Sequence, residues 1–274
     1  MTNPKITVVT VCMNAADTIE QTILSVINQT YDNIEYIVID GASTDGTTGI
    51  IKQYEQKICQ WISEPDEGIY DAMNKGLMLA NGDYLIFLGA DDVFYNKDVI
   101  HNVASHIDSE HIVYYGNVQF KNTETIHWGK FNKLKWASSN ICHQAIFYPK
   151  KVYKRFYYDT SYSVYADYIY NLNLLQQTIK FQFVNEIITL FNTTGYSSYN
   201  FDKKFTENFA QIAIKTLGFF PYVGGELIKN IVFPFFEFIN MIKKKSIFKD
   251  KKTKNRINIS LQMDLQPCNN SKVK

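Results

Sequence analysis

The sequence lacks any CxxC pair, and its four cysteines, Cys12, Cys59, Cys142 and Cys268, show no metal-ligand spacing. That excludes a zinc-ribbon type of site and points to a reducing compartment. Cys12 and Cys59 lie in or beside apolar runs, where a free thiol acts as a small hydrophobe. No run approaches the ~18 uninterrupted apolar residues of a membrane span. The N-terminal stretch MTNPKITVVTVCMNAADTIE has no basic segment followed by a long apolar one, so no secretory signal is expected. An excess of one charge is also missing. With 28 basic and 27 acidic side chains the net charge is +1, which gives no footprint for nucleic acid. No GxGxxG follows the first apolar run, which disfavours a dehydrogenase.

What is present is apolar and aromatic material. Of 274 residues 46% are hydrophobic, with 19 Tyr and 19 Phe, enough for one large or two small domains. Ile6 to Val11 (ITVVTV), Ile34 to Ile39, Cys59 to Ile62 and Tyr84 to Leu88 read as buried strands. Helical periods fall between them, over Asn14 to Asn28, Thr47 to Glu55 and Asp71 to Ala80, with Asn14 or Asp17 as the first N-cap. Such alternation predicts an α/β fold with a parallel, Rossmann-like sheet and right-handed crossovers. Past residue 95 the pattern loosens. Strands are predicted at Ile112 to Tyr115, Ala145 to Tyr148, Lys180 to Val184 and Ile187 to Leu190, and a helix over Ala166 to Gln177.

Ligands of a doubly wound sheet bind beyond the carboxyl ends of its strands. Those ends carry Cys12-Met13-Asn14, Asp40, Glu64-Pro65-Asp66 and Asp91-Asp92. Each alone is equally well an exposed loop carboxylate or a helix cap; four in step favour one shared site. Asp40-Gly41-Ala42 lacks the second acid that a haloacid-dehalogenase phosphatase would place two residues on, which argues against that chemistry.

The array and its particular words resemble the family-2 glycosyltransferases of the GT-A fold. SVINQTY, IDGASTDGT, GIYDAMNKG and GDYLIFLGADD follow one another in that order, with HQAIFY and YADYIYNL later. The likeness is dense over residues 5 to 95 and thinner to about 195. It implies an inverting glycosyltransferase that moves a sugar from a nucleotide-diphosphate sugar to a glycan or lipid-linked glycan, in surface-polysaccharide or lipopolysaccharide synthesis. A non-catalytic sugar-nucleotide-binding assembly subunit is the rival reading.

By that resemblance GADD is the family's metal-binding element. Asp92 is the expected ligand of Mn²⁺ or Mg²⁺, and Asp91 the contact to the donor's ribose or sugar. Hard cations of this kind keep few protein carboxylates beside water and phosphate. Asp40 is expected at the donor base, where a carboxylate accepts from an imide N–H and so suggests uridine; guanine also offers donors. Asp66, Thr10 and Asn14 are further nucleoside candidates. Lys75 is either a diphosphate contact or a solvated lysine, and His143 either lines the donor pocket or plays a structural part. Asp167 in YADYIYNL is the expected base for the acceptor hydroxyl; its alternative is a helix cap. Trp128 and Trp136 suggest either acceptor stacking or core packing.

The domain boundaries expected are 1–95 for the nucleotide-sugar half and 96–204 for the acceptor half. Residues 205–248 form a helical, apolar segment and 249–274 a polar tail. The apolar stretch IKNIVFPFFEFINMI is followed by Lys243-Lys244-Lys245, which suits an interfacial contact with an anionic membrane. A flap on the domain or a dimer contact over 217–242 is the other reading. The location expected is cytoplasmic, peripheral on the inner face of a bacterial membrane.

Overall fold

The computed structural model describes residues 3–121, 125–127, 129–192 and 202–232. The chain divides into two units, Met1–Tyr222 and Val223–Lys274. The first is built on one sheet whose strands, in chain order, are β1 (Ile6–Cys12), β2 (Ile34–Asp40), β3 (Gln60–Ser63), β4 (Tyr84–Gly89), β5 (Val93–Phe94), β6 (Ile112–Phe120), β7 (Ile126–His127), β8 (Ile146–Pro149) and β9 (Lys180–Phe191). Their spatial order is β3-β2-β1-β4-β8-β6-β9-β5, with β7 paired to β6. β1 to β4 run parallel, β8 is antiparallel to both β4 and β6, and β9 is parallel to β6.

The N-terminal strands are β-branched because both their faces are covered, which leaves no polar alternation to read. Along β1, Val9 and Val11 pack with Ile37, Ile39 and Phe87 on one face. Ile6 and Val8 pack with Tyr36, Val38, Ile86 and Leu88 on the other. Helix α1 (Ile19–Ile27) buries Ile19, Ile23 and Val26 in the second layer. It begins later than predicted, because neither Asn14 nor Asp17 caps it; its N-cap is Thr18, without a side-chain bond. α2 (Thr47–Gln53) and α3 (Ile69–Leu79) complete the crossovers, and α4 (Val99–Ser105) buries Val99, Ile100 and Val103.

The acceptor half adds α5 (Lys133–Ser138), α6 (Lys150–Tyr153) and α7 (Ala166–Gln176). The two strands predicted over 180–190 are the single strand β9. Its register against β6 slips around Asn117, so the polar Asn185-Glu186 break lies at an irregularity rather than between strands. α8 (Lys203–Leu217) lays Phe205, Phe209, Ala213 and Leu217 into the core, and Phe205 and Phe209 pack on Tyr168 of α7. The start of the segment expected to associate with a membrane is thus part of this unit. α9 (Phe219–Leu227) follows, with Phe219 and Phe220 exposed. In the second unit a π-helical stretch, Ile228–Val232, continues from α9, and Asn230 Nδ2 donates to Glu226. The polar tail 249–274, Lys243 to Lys245 and Trp128 lie outside the described residues. No helix among the described residues is long and apolar enough to cross a membrane.

Candidate functional site

The parallel register of β1, β2 and β4 brings their ends to one rim: Cys12 lies opposite Asp40, and Val11 opposite Gly89. A cavity of about 570 Å³ opens there. Met13, Asn14, Asp66, Tyr70, Asp91 and Tyr162 are among its lining side chains. Its acids are Asp66, Glu67, Asp71 and Asp91, and among the described residues no lysine or arginine lines it.

Two rim loops are held in a set shape. Asn14 and Ala42 adopt left-handed backbone, φ 50° and 59°, a conformation uncommon outside glycine. The Asn14 side chain accepts from Thr44 N at 3.0 Å, while Asn14 N donates to Ser43 Oγ at 2.7 Å. Asp45 accepts from Ala16 N and from Thr47, so the turn caps α2 and also ties the first loop to the second. Asp40 does not line the cavity. It is fully buried, and its carboxylate accepts from Ser43 N, Ser43 Oγ and Ser63 Oγ, with the Cys12 thiol 3.5 Å away. Burial beside that carboxylate pushes the Cys12 thiol far up, so it stays neutral. Asp66 does reach the cavity: one oxygen accepts from Gly68 N at 2.9 Å, and the other stands against the bare backbone of Gly41.

Thr10 is not brought to the site; it is buried in the core with its hydroxyl 3.1 Å from Tyr36 Oη. Lys75 stands beside the rim but is engaged there, at 3.0 Å from Glu64, 3.5 Å from Asp71 and donating to Pro65 O.

The doublet at the end of β4 is split by depth. Asp91 lines the cavity and accepts from Asn192 Nδ2 at 3.0 Å. Asp92 is 1% exposed and accepts from Gln144 Nε2 and Asn192 N, each at 2.9 Å. Burial, and then the neighbouring Asp91 charge, push the Asp92 carboxyl up to about 6. Both carboxylates turn toward Gly89. A Cβ on that glycine would lie 2.7 Å from Asp92 Oδ2 and 3.2 Å from Asp91 Oδ1.

Asp167 stands in the first turn of α7 and is 8% exposed. The N-cap of α7 is Tyr165 and not Asp167; Asp167 Oδ1 accepts from the adjacent Tyr168 N at 2.8 Å, and its other contacts are side chains from three other segments. Oδ2 accepts from Asn140 Nδ2 at 3.0 Å, with His143 Nδ1 at 3.3 Å, and Tyr70 Oη, whose proton goes to Val164 O, stands 3.2 Å from Oδ1. Tyr70 lines the cavity, which connects Asp167 to it, and burial beside Asp167 raises that phenol well above its usual range. Trp136 is buried between Phe131 and Phe181 and does not line the donor cavity. Asn192, Asn140 and Tyr70 were not among the expected site residues; of these only Tyr70 carried a signal, within the word GIYDAMNKG, as Gln144 did beside His143 in HQAIFY.

A curled, mainly parallel sheet that delivers acids from successive strand ends to one cleft is the GT-A arrangement of a nucleotide-sugar transferase. Residues 7–178 match glycosyl transferase family 2, and the chain belongs to that family of enzymes. It is similar to a PGL/p-HBAD biosynthesis glycosyltransferase of Mycobacterium tuberculosis, 31% identical over 215 residues, covering 75% of this chain and 84% of that one. The fold is shared with S. aureus TarS in complex with UDP-GlcNAc, at TM-score 0.65 and 18% identity over 77% of this chain and 66% of that one. Of the longer TarS chain it spans 39%. It is also shared with mannosyltransferase PcManGT from Pyrobaculum calidifontis in complex with GDP-Man and Mn²⁺, at TM-score 0.63 and 16% identity over 85% and 71% of the two chains.

Proposed function

We propose that the cleft takes a nucleotide-diphosphate sugar, uridine-linked, and that Asp167 deprotonates an acceptor hydroxyl on a glycan or lipid-linked glycan. The observation that carries the reading is the pair of carboxylates over Gly89, Asp91 lining the cavity and Asp92 buried behind it, at a cavity with no cationic side chain among its described lining residues. A diphosphate brings two negative charges to this acidic lining, and no described lysine or arginine lines the cavity: Lys75, beside it, is paired with Glu64 and Asp71, and Lys121 donates to Asp91 O.

A divalent cation fits there. Oxygens of Asp91 and Asp92 converge on the space a Cβ would fill, and their chemistry is the hard-oxygen set that Mg²⁺ and Mn²⁺ prefer. Asp92 would hold the ion, with Asp91 beside it toward the donor's sugar half. When bound, the ion supplies charge neutralisation for the departing diphosphate.

The chain's own residues do the rest. Asp66, open to the cavity, accepts from the base. Asp40 shapes the Gly41–Thr44 loop through Ser43 and so positions that contact rather than making it. Asn14 holds the opposite wall against Thr44. Asp167 is aimed by Tyr70, Asn140 and His143, which present its oxygens in one orientation, as a base must be. Attack from the Asp167 side, opposite the leaving diphosphate, gives inversion. The apolar, lysine-flanked C-terminal segment would keep the enzyme at a membrane surface, near lipid-linked acceptors.

A donor screen tests this: release of nucleoside diphosphate from UDP-, GDP- and dTDP-sugars, with and without Mn²⁺. Metal-dependent release from a UDP-sugar is expected, and no release from any donor would sink the reading.

A further inference from the structure

A second cavity, of about 610 Å³, shares no lining residue with the donor cleft. It opens at the other edge of the sheet, where Ile112 and Lys180 begin β6 and β9, whereas the donor cleft sits at strand ends. Leu175, also in its lining, lies two turns beyond Asp167 on α7, about 12 Å along the axis. Its walls are aromatic, and the rings form one patch. Trp136 packs on Phe131 and Phe181 with centroids 4.9 Å and 5.2 Å apart, and Tyr115 on Phe183 at 5.5 Å. Phe181 and Phe183 are only half-buried, which leaves ring surface to the cavity.

Charge is segregated between the two cavities. Among the described residues the donor cleft is lined by acids and no lysine or arginine, whereas the lining of this one includes Lys130, Lys133 and Lys180 and no acid. All three lysines are exposed, and among the described residues none has a carboxylate within ion-pair distance. Elsewhere in the fold, lysines such as Lys5, Lys75 and Lys151 each meet an acid. Three unpaired cations around an aromatic floor are complementary to a ligand with flat apolar faces and anionic substituents.

We propose that this cavity binds a carboxylate-bearing stretch of the acceptor glycan, its pyranose C–H faces on the rings and its carboxylates at the three lysines. The proposal rests on the reading that the acceptor is a glycan. It gives the enzyme a second hold on a growing acidic chain, apart from the sugar that reacts at Asp167. A chain held at two points dissociates less readily than one held at the reacting end alone.

Calorimetry of the full-length protein with a hyaluronan hexasaccharide and with the neutral chitin hexasaccharide tests this. The acidic oligomer should bind at least tenfold more tightly than the neutral one, and more weakly at high salt. The triple variant Lys130→Gln/Lys133→Gln/Lys180→Gln, checked for folding by thermal denaturation, should lose that preference. Equal affinity for both oligomers, or an unchanged preference in the folded triple variant, would overturn the proposal. So would binding of phosphatidylglycerol vesicles through these lysines with none of the oligosaccharide. Nucleotide-sugar hydrolysis, measured separately, reports on the transferase reading: acidic oligomer bound without hydrolysis supports this site and counts against that reading alone.

Discussion

His143 Nδ1 stands 3.3 Å from Asp167 Oδ2, and the next residue, Gln144, donates to Asp92 at 2.9 Å. One short 3-10 turn, His143–Ala145, therefore touches both the proposed base and the proposed metal ligand. Gln144 O also accepts from Thr189 of β9, and Ala145 is buried, so the turn is fixed to the sheet. The two halves of the chemistry come from distant parts of the chain, and this dipeptide sets the spacing between them. In the proposed mechanism His143 is thereby a positioning residue for Asp167, the structural of the two parts open to it from the sequence.

Asp167→Asn should separate binding from transfer. The amide is nearly isosteric: its oxygen can still accept from Asn140 and its NH2 can donate to Tyr70 Oη, at the loss of the Tyr168 N–H bond, but the base is gone. Turnover should fall by about 10² to 10⁴. Donor affinity by calorimetry should stay within about twofold, since the proposed mechanism puts Asp167 on the acceptor side. A parallel fall in donor affinity would place Asp167 in the donor site instead.

Asp92 gives a pH dependence whose sign follows from its position. In the unfolded chain it titrates near the ordinary aspartate value of 3.8, and in the fold near about 6. Below about pH 4 both states hold the proton, and between about 4 and 6 only the native state does. Metal-free stability should therefore fall as pH rises through that window, by about 3 kcal/mol at most. Asp92→Asn should flatten this trend and be the more stable protein at pH 8 in urea with chelator. It should also abolish the metal-dependent part of donor binding. Wild-type stability that instead rises from pH 4 to 6, with the Asn variant showing the same slope, would refute the assignment.

The N-terminal half was legible because parallel strands covered on both faces must be runs of Val and Ile, and their ends must be polar. Hence β1 to β4, and Asp66 and Asp91 at the rim they line, could be placed by reading alone, whereas the burial of Asp92 could not. The acceptor half obeys no such rule. β5 and β7 are two residues long, too short for any period, and α5 is barely more than a turn. Depth was not legible either. Nothing in IVIDGAS tells that Asp40 turns inward to Ser43 and Ser63, or that Thr10 faces Tyr36 rather than the ligand. Asn192 is one polar residue among several after β9, and only the tertiary fold reveals that it clamps both members of the doublet.

Gly89→Ala tests the space between the carboxylates. Its backbone angle does not demand glycine, so any effect comes from the methyl group, which would stand 2.7 Å from Asp92 Oδ2. Metal-dependent donor binding should weaken at least tenfold, with a stability cost of about 1–3 kcal/mol from crowding. Gly76→Ala is the control. Its methyl group would meet Val9 Cγ1 at 2.5 Å, where α3 packs on β1. It should cost similar stability, about 1–3 kcal/mol, and leave the donor affinity of the folded protein unchanged. Equal loss of donor affinity in both variants would mean that general destabilisation, and not the cradle, is being measured.

Where the C-terminal segment is cut decides what its removal reports. Phe205, Phe209, Ala213 and Leu217 belong to the core, so a cut inside α8 exposes apolar surface and destabilises the transferase itself. A cut after Tyr222 falls at the boundary between the two units. That truncation should keep nucleotide-sugar hydrolysis and stop co-sedimenting with phosphatidylglycerol vesicles, whereas the full chain pellets with them. Continued sedimentation of the truncated, active protein would remove residues past Tyr222 as the membrane contact. It would leave Phe219 and Phe220, both exposed, as the next residues to substitute.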